Sequence, residues 1–88
     1  MKGGQLNRSE RTTWRRVGED AVVVDIQNGG VYELGGPAVR IWELLEDSPT
    51  LDELVTTLEA EFQDDRGTLR ADAERTIAKL IDAGLLRG

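Results

Sequence analysis

Val31-Tyr32-Glu33-Leu34-Gly35-Gly36-Pro37-Ala38-Val39-Arg40-Ile41-Trp42-Glu43-Leu44-Leu45 changes its hydrophobic period once, and that change decides the fold. Val31 to Leu34 alternates, with Tyr32 and Leu34 on one face and Val31 and Glu33 on the other, as a strand requires. From there the apolar positions recur at Ala38, Ile41, Trp42 and Leu45, the stripe of an amphipathic helix that runs to about Glu46. Gly35-Gly36 ends the strand, and Pro37 suits the first turn of a helix, where its missing N–H costs nothing. A small sheet feeding helices, with no catalytic residues, is the plan of a module that reads a partner.

Upstream, Thr12 to Val17 reads as a strand with Thr12, Trp14 and Arg16 on one face. Ala21 to Gln27 is the clearest strand, Val22, Val24 and Ile26 alternating with Val23, Asp25 and Gln27. Asn28-Gly29 predicts a two-residue type I′ hairpin turn, because both central positions need positive φ. Residues 1–10 are polar and lack periodicity, and are expected to fray as a flexible N-terminus. Downstream, Asp47-Ser48-Pro49 breaks the first helix, and Thr50 with Glu53 forms a capping box for a second. Its apolar face is Leu51, Leu54, Val55, Leu58 and Phe62. After a loop at Asp64-Asp65-Arg66-Gly67, with Thr68 as N-cap, a third helix covers Leu69 to Ala83. Gly84 stops it, and Leu85 and Leu86 are free to fold back on its last turn. The expected architecture is α+β: a three-stranded antiparallel meander followed by three helices, winged-helix-like, as one domain over 11–88.

Composition narrows the chemistry. The 88 residues contain no cysteine and no histidine, which removes thiol nucleophiles, thiolate metal sites and the commonest general base and metal ligand. A domain of this size buries only about 60% of its unfolded surface and has little room for a deep active site. Acid pairs such as Glu46-Asp47 and Asp64-Asp65 fall in loops or at helix ends, where solvated charge is the ordinary role. No catalytic residue, metal site or cofactor is therefore expected. No apolar run approaches a membrane span, and there is no signal-peptide core, so a cytoplasmic protein without a membrane partner is expected. Residues 1–20 carry five basic and three acidic groups, net +2; subtracted from the whole-chain −6, this leaves −8 for residues 21–88. Such an acidic body repels nucleic acid and favours basic partners.

Two features suit a protein or peptide partner. The strand Val31 to Leu34 lies at the edge of the meander and carries a single charge, so it is weakly guarded against pairing with another chain. The third helix has an apolar core face of Leu69, Ala73, Ile77 and Leu80 that spills to one side only, onto Ala71, Ala78 and Ile81, bordered by Glu74, Arg75 and Asp82. That shoulder either packs on the sheet or the first helix, or stands free for another chain. Trp42 lies in a core stripe, while Trp14, between Thr13 and two arginines, is the better surface aromatic.

The runs Val31-Tyr32-Glu33-Leu34, Gly35-Gly36-Pro37-Ala38 and Ile41-Trp42-Glu43-Leu44-Leu45 resemble the PqqD family, as do Ser48-Pro49-Thr50-Leu51-Asp52-Glu53-Leu54 and Ile81-Asp82-Ala83-Gly84-Leu85-Leu86. Family members often have Asn where this chain has Gly35. The resemblance covers about Val22 to Leu86 and implies a precursor-recognition domain of a ribosomal peptide-modification pathway. Such domains bind the leader region of a precursor peptide as an added antiparallel strand, in a cleft against the third helix. Carried onto this chain, the strand contact falls on Gly30, Val31, Tyr32, Glu33 and Leu34, and the helix contact on Arg70, Ala71, Glu74, Arg75, Ala78, Ile81 and Asp82. The chain is most similar to the discrete recognition proteins of lasso-peptide clusters, which deliver the precursor to a leader peptidase. A chaperone presenting a precursor to a radical enzyme is the sister reading, and a winged-helix DNA-binding protein is the third. A monomer or weak dimer is expected.

Overall fold

The computed structural model describes residues 4–62 and 68–87. In chain order these form β1 (Asn7–Arg8), β2 (Thr12–Val17), β3 (Asp20–Asp25), β4 (Val31–Leu34), α1 (Pro37–Leu44), a 3₁₀ turn (Leu45–Asp47), α2 (Leu51–Phe62), α3 (Thr68–Asp82) and β5 (Leu86–Arg87). β2, β3 and β4 are the antiparallel meander, in that order, and the three helices follow it. The loop read at Asp64 to Gly67 lies outside the described residues.

The sheet turns one face to the helices. Ala21, Val23 and Asp25 of β3 are buried, while Val22 and Val24 are half-buried on the opposite face and Ile26 is exposed. The core face is therefore the one carrying the aspartate, rather than the Val22–Val24–Ile26 face. Three consecutive valines leave both faces apolar, and the position of the helices decides between them. Opposite them, Tyr32 and Leu34 of β4 pack against the core, and Val31 and Glu33 point away from it.

The β3–β4 hairpin departs from the two-residue turn that Asn28-Gly29 predicts. Val24 pairs with Val31, and Ile26 to Gly29 make a longer loop in which Gly29 has positive φ (77°) and Asn28 does not. Asp25 organises this loop. One carboxylate oxygen accepts the N–H groups of Gln27 (2.9 Å) and Asn28 (3.1 Å), and the other accepts Asn28 Nδ2 (3.1 Å). The backbone closes the same turn, with Asp25 N–H donating to Gly30 O at 2.8 Å and Gly29 N–H to Asp25 O at 2.7 Å. An aspartate that holds its own downstream amides is an Asx-type turn, and it satisfies a carboxylate that would otherwise be costly to bury.

At the sheet–helix joint the positive φ falls on Gly36 (58°), not on Gly35, and Pro37 opens α1 as its position predicts. α1 gives way to the 3₁₀ turn after Leu44, earlier than the stripe through Leu45 implies. Ser48 adopts a left-handed conformation (φ 53°) with its N–H on Leu45 O, and Pro49 prevents continuation. The capping box forms as read: Glu53 N–H donates to Thr50 Oγ1 (3.1 Å) and Thr50 N–H to Glu53 Oε1 (2.9 Å). α3 ends in a Schellman motif, Gly84 N–H on Ile81 O and Leu85 N–H on Leu80 O, which folds Leu85 and Leu86 into the core. Phe62 does not join that core: at the last position of α2 it is half exposed. Near the same end, Arg40 of α1 donates two bonds to Glu61, holding that carboxyl below its ordinary range. The stability this adds is complete at neutral pH and is lost as pH falls through the lowered value.

The N-terminal stretch expected to fray is tied down from Gln5 onward. Gln5 bridges Thr50, Leu6 is buried and its N–H donates to Pro49 O (2.8 Å), and β1 pairs with β5 through Asn7–Arg87 and Arg8–Leu86. Leu6 was a lone apolar residue in a polar stretch, and its partners lie at the far end of the chain. Arg8 completes the tie. Its guanidinium lies over Trp42 (4.5 Å to the ring centroid) and near Trp14 (5.4 Å), and donates to Trp42 O through Nε (3.1 Å) and Nη2. Trp42 is fully buried as its stripe predicts, whereas Trp14 is half-buried beneath this arginine rather than free on the surface. Burial lowers the Arg8 pKa, opposed by the nearby Glu46, Glu43 and Asp47.

Two stability predictions follow from these contacts. Arg8→Ala removes a cation–π contact and a helix-end hydrogen bond, and is expected to lower the unfolding free energy by about 2 kcal/mol in urea titrations. A change within error would show that the strap is not held by Arg8. Asp25→Ala strands the Gln27 and Asn28 donors and is expected to cost about 1–3 kcal/mol, with Asp25→Asn losing less. Equal stability of Asp25→Ala and wild type would remove Asp25 as the organiser of the loop.

Candidate functional site

β4 has β3 on one side and, among the described residues, no strand on the other. Which of its backbone groups are free follows from the ladder. Because Asp25 N–H donates to Gly30 O, and bonded pairs alternate along an antiparallel ladder, Tyr32 and Leu34 direct their N–H and C=O groups to β3. Val31 and Glu33 direct theirs outward. The open edge therefore offers two donor–acceptor pairs spaced as an added strand requires. Val31 is 65% exposed and Glu33 is also exposed, so nothing in the described chain covers this edge. Gly30 sits at its start beneath the Tyr32 ring, and a Cβ there would meet Tyr32 Oη at 2.9 Å. A side chain at this position would displace the Tyr32 ring from its place along the strand.

A cavity of about 200 Å³ follows the far end of β4 and is lined by Gly35, Pro37 and Ala38 on one side and Asp72, Arg75 and Thr76 of α3 on the other. The Gly-Gly-Pro joint thus sets α3 beside the strand end. Of the helix residues expected to serve the site, Arg75 lies in this cavity, held in an ion pair with Asp72. Asp72 and Thr76 join it, on the flank of α3 opposite Arg70 and outside the set of expected site residues. The i, i+3, i+4 spacing of Asp72, Arg75 and Thr76 was the available signal, but only the position of the joint gives it meaning.

The other expected helix residues divide in two. Ala71, Ala78 and Asp82 are exposed and fall next to Arg75 on the helix surface, so the shoulder is not consumed by internal packing. Arg70, Glu74 and Ile81 lie toward α2. Arg70 bonds Asp52 of α2 at 2.6 Å and approaches Glu74 at 3.8 Å, and the Asp52 bond raises its pKa further. Ile81 is 44% exposed at the end of this flank. Arg75 lines the cavity that follows β4, the Ala71–Ala78–Asp82 surface lies next to it on α3, and Arg70, Glu74 and Ile81 lie on the α2 side of that surface. An open strand edge of this kind can pair its backbone groups with an added strand. Among the described residues no cluster of carboxylates could hold a metal ion, and no helix is long and apolar enough to cross a membrane.

Two solved structures share this fold. "TbiB1 in Complex with the TbiA(beta) Leader Peptide" is 28% identical, covering 93% of this chain and 95% of that one with a TM-score of 0.84. "Lasso peptide synthetase B1 complexed with the leader peptide" is 17% identical, covering 96% and 99% with a TM-score of 0.81, a likeness of fold alone. No curated protein sequence matches the chain. The family described as Coenzyme PQQ synthesis protein D matches residues 20–86, from the first residue of β3 to the Leu86 that closes the core, and the chain therefore belongs to the PqqD family.

Proposed function

We propose that this chain is a non-catalytic adaptor of lasso-peptide biosynthesis. It binds the leader region of a ribosomally synthesised precursor peptide as a fourth strand on β4, against α3, and delivers it to a processing enzyme, a leader peptidase. The observation that carries this reading is the uncovered β4 edge, with Val31 and Glu33 offering their backbone groups and a cavity lined by α3 residues following the strand's end. The solved relative at 28% identity, which is in complex with a leader peptide, supports it. Backbone bonds to the edge would supply affinity, and the joint cavity and the small Ala71 and Ala78 would admit leader side chains. Exposed Glu74 and Asp82 would attract basic leader residues, in keeping with the net charge of −6. Such an adaptor acts in the cytoplasm, as a monomer or weak dimer.

The family match favours one second reading, a chaperone presenting its precursor to a radical enzyme; it uses the same groove and differs in the recipient. The DNA-reading alternative is disfavoured because Arg70 and Arg75 on α3 are both engaged by carboxylates.

Fluorescence polarisation with a labelled leader peptide, taken from the precursor encoded beside this chain, tests the proposal. Binding at or below tens of micromolar is expected, and its absence would overturn the reading. Val31→Pro deletes one outward donor while leaving the β3 ladder intact, and is expected to weaken leader binding at least tenfold with little change in thermal stability. Tyr32→Pro removes an inward donor and is expected to destabilise the sheet itself. Ala78→Arg, on the helix side, is expected to reduce leader affinity at least tenfold; unchanged affinity would take α3 out of the site.

A further inference from the structure

Arg16, Arg40, Arg70 and Arg75 each hold a carboxylate, and Arg8 is stacked on Trp42. Arg11, Arg15 and Arg87 form no ion pair among the described residues, although the chain has a net charge of −6. Arg11 and Arg87, from opposite ends of the chain, line one cavity of about 260 Å³ together with Ser9, Glu10 and Gln27. Hydrogen bonds fix the backbone on every side of it. Ser9 N–H donates to Leu85 O (2.9 Å), Arg11 N–H to Ser9 Oγ (3.2 Å) and Ile26 N–H to Arg11 O (2.7 Å). Arg87 pairs with Asn7 in the β1–β5 ladder, and Gln27 N–H is held by Asp25 Oδ1. Glu10 is exposed and pairs with neither arginine, so two cations face one anion and the cavity keeps an excess positive charge. Two guanidiniums and a side-chain amide offer donors in the arrangement a carboxylate accepts.

The cavity stands at the Gly30 end of β4, away from the Gly-Gly-Pro joint. Gln27 belongs to the loop that leads into Gly30, and the pairing of Thr12 with Asp25 puts the start of β2 at the same end. A strand added antiparallel to β4 enters beside Leu34 and leaves beside Gly30. Its continuation toward the C-terminus therefore leaves the sheet on the side of this cavity. Three strand spacings separate the added strand from β2, ~14 Å, which an extended chain crosses in about four to five residues.

We infer that this cavity is a second contact for the precursor, in which Arg11 and Arg87 receive the carboxylate of an Asp or Glu that follows the added strand by a few residues. This rests on the leader-binding function proposed above. The contact gives the open edge a direction. Backbone pairing alone discriminates weakly between registers, whereas an anion read beyond one end of the strand fixes which way the leader runs and how far it is seated. An acidic chain thus keeps an uncompensated pair of arginines where the acidic part of its peptide passes.

The test uses the intact chain and a C-terminal truncation series of the labelled leader, read by fluorescence polarisation at low and high salt. The short peptide is the shortest whose binding Val31→Pro still weakens, and the long one is the full leader. Wild type is expected to bind the long peptide at least fivefold tighter than the short one at low salt. This gain should shrink at high salt and vanish when the acidic residues of the extension are replaced by their amides. The double variant Arg11→Glu, Arg87→Glu should lose the gain while binding the short peptide within twofold of wild type. Lysines in place of those acids should restore the gain to it. Arg11→Gln, Arg87→Gln is the milder pair should the reversed charges lower the melting temperature, and is expected to lose most of the gain. Retention of the full gain by both double variants would overturn the inference. So would equal weakening of short and long peptides, which would assign the arginines to the edge or the fold, or an extension that carries no acidic residue. Failure of wild type to bind even the short peptide is seen separately and rejects the underlying function.

Discussion

The structure depends most on the burial of Trp42 under the Arg8 guanidinium. Trp42 belongs to the last turn of α1, where backbone carbonyls have no intrahelical partner, and Arg8 supplies the missing donor from a strand 34 residues earlier. The same cation stands at the negative end of the helix and over the Trp42 ring, so three favourable terms meet in one side chain. This contact joins the N-terminal strap, the end of α1 and, through the β1–β5 pair, the C-terminus. Arg8 also lies between Trp42 of α1 and Trp14 of β2, and α1 packs in turn on α3, whose Asp72, Arg75 and Thr76 face the joint that follows β4.

The division of labour within the sheet follows from its strand order. β3 is bonded on both sides and supplies the buried Val23, so it belongs to stability. β4 is bonded on one side only, and in the proposed function its outward groups serve recognition. A strand of four residues is a weak liability for aggregation yet long enough to offer two donor–acceptor pairs. In that proposal the cavity lined by α3 restricts which strand can add: an open edge alone accepts any extended chain, whereas one followed by such a cavity would favour a chain whose side chains fit it.

Many signals carried by neighbouring residues hold. The capping box of Thr50 and Glu53, the stop at Gly84 and the core stripes of α1 and α3 each involve residues within a few positions of one another. Several readings failed because a partner lay elsewhere in the chain, and one because two local signals competed. Leu6 and Arg8 looked like parts of a loose tail because the Pro49 carbonyl, the Trp42 ring and Leu86 are remote. Asn28-Gly29 looked like a tight turn because the pattern is strong, but the Asp25 carboxylate offered its amides a better set of bonds and lengthened the loop. Trp14 looked exposed because Arg8 was not yet above it.

By itself the sequence determined the element types, the weakly guarded edge at Val31 to Leu34 and the one-sided surface of the third helix, since periodicity, caps and charge are carried by neighbouring residues. Only the tertiary structure decided which sheet face is core, because three consecutive valines suit both. It alone decided that Asp72 and Thr76 stand with Arg75 at the strand end while Arg70 and Ile81 lie toward α2. A helical projection ranks residues around an axis but does not say what stands on each side of it; the packing of α1, fixed by Trp42, does.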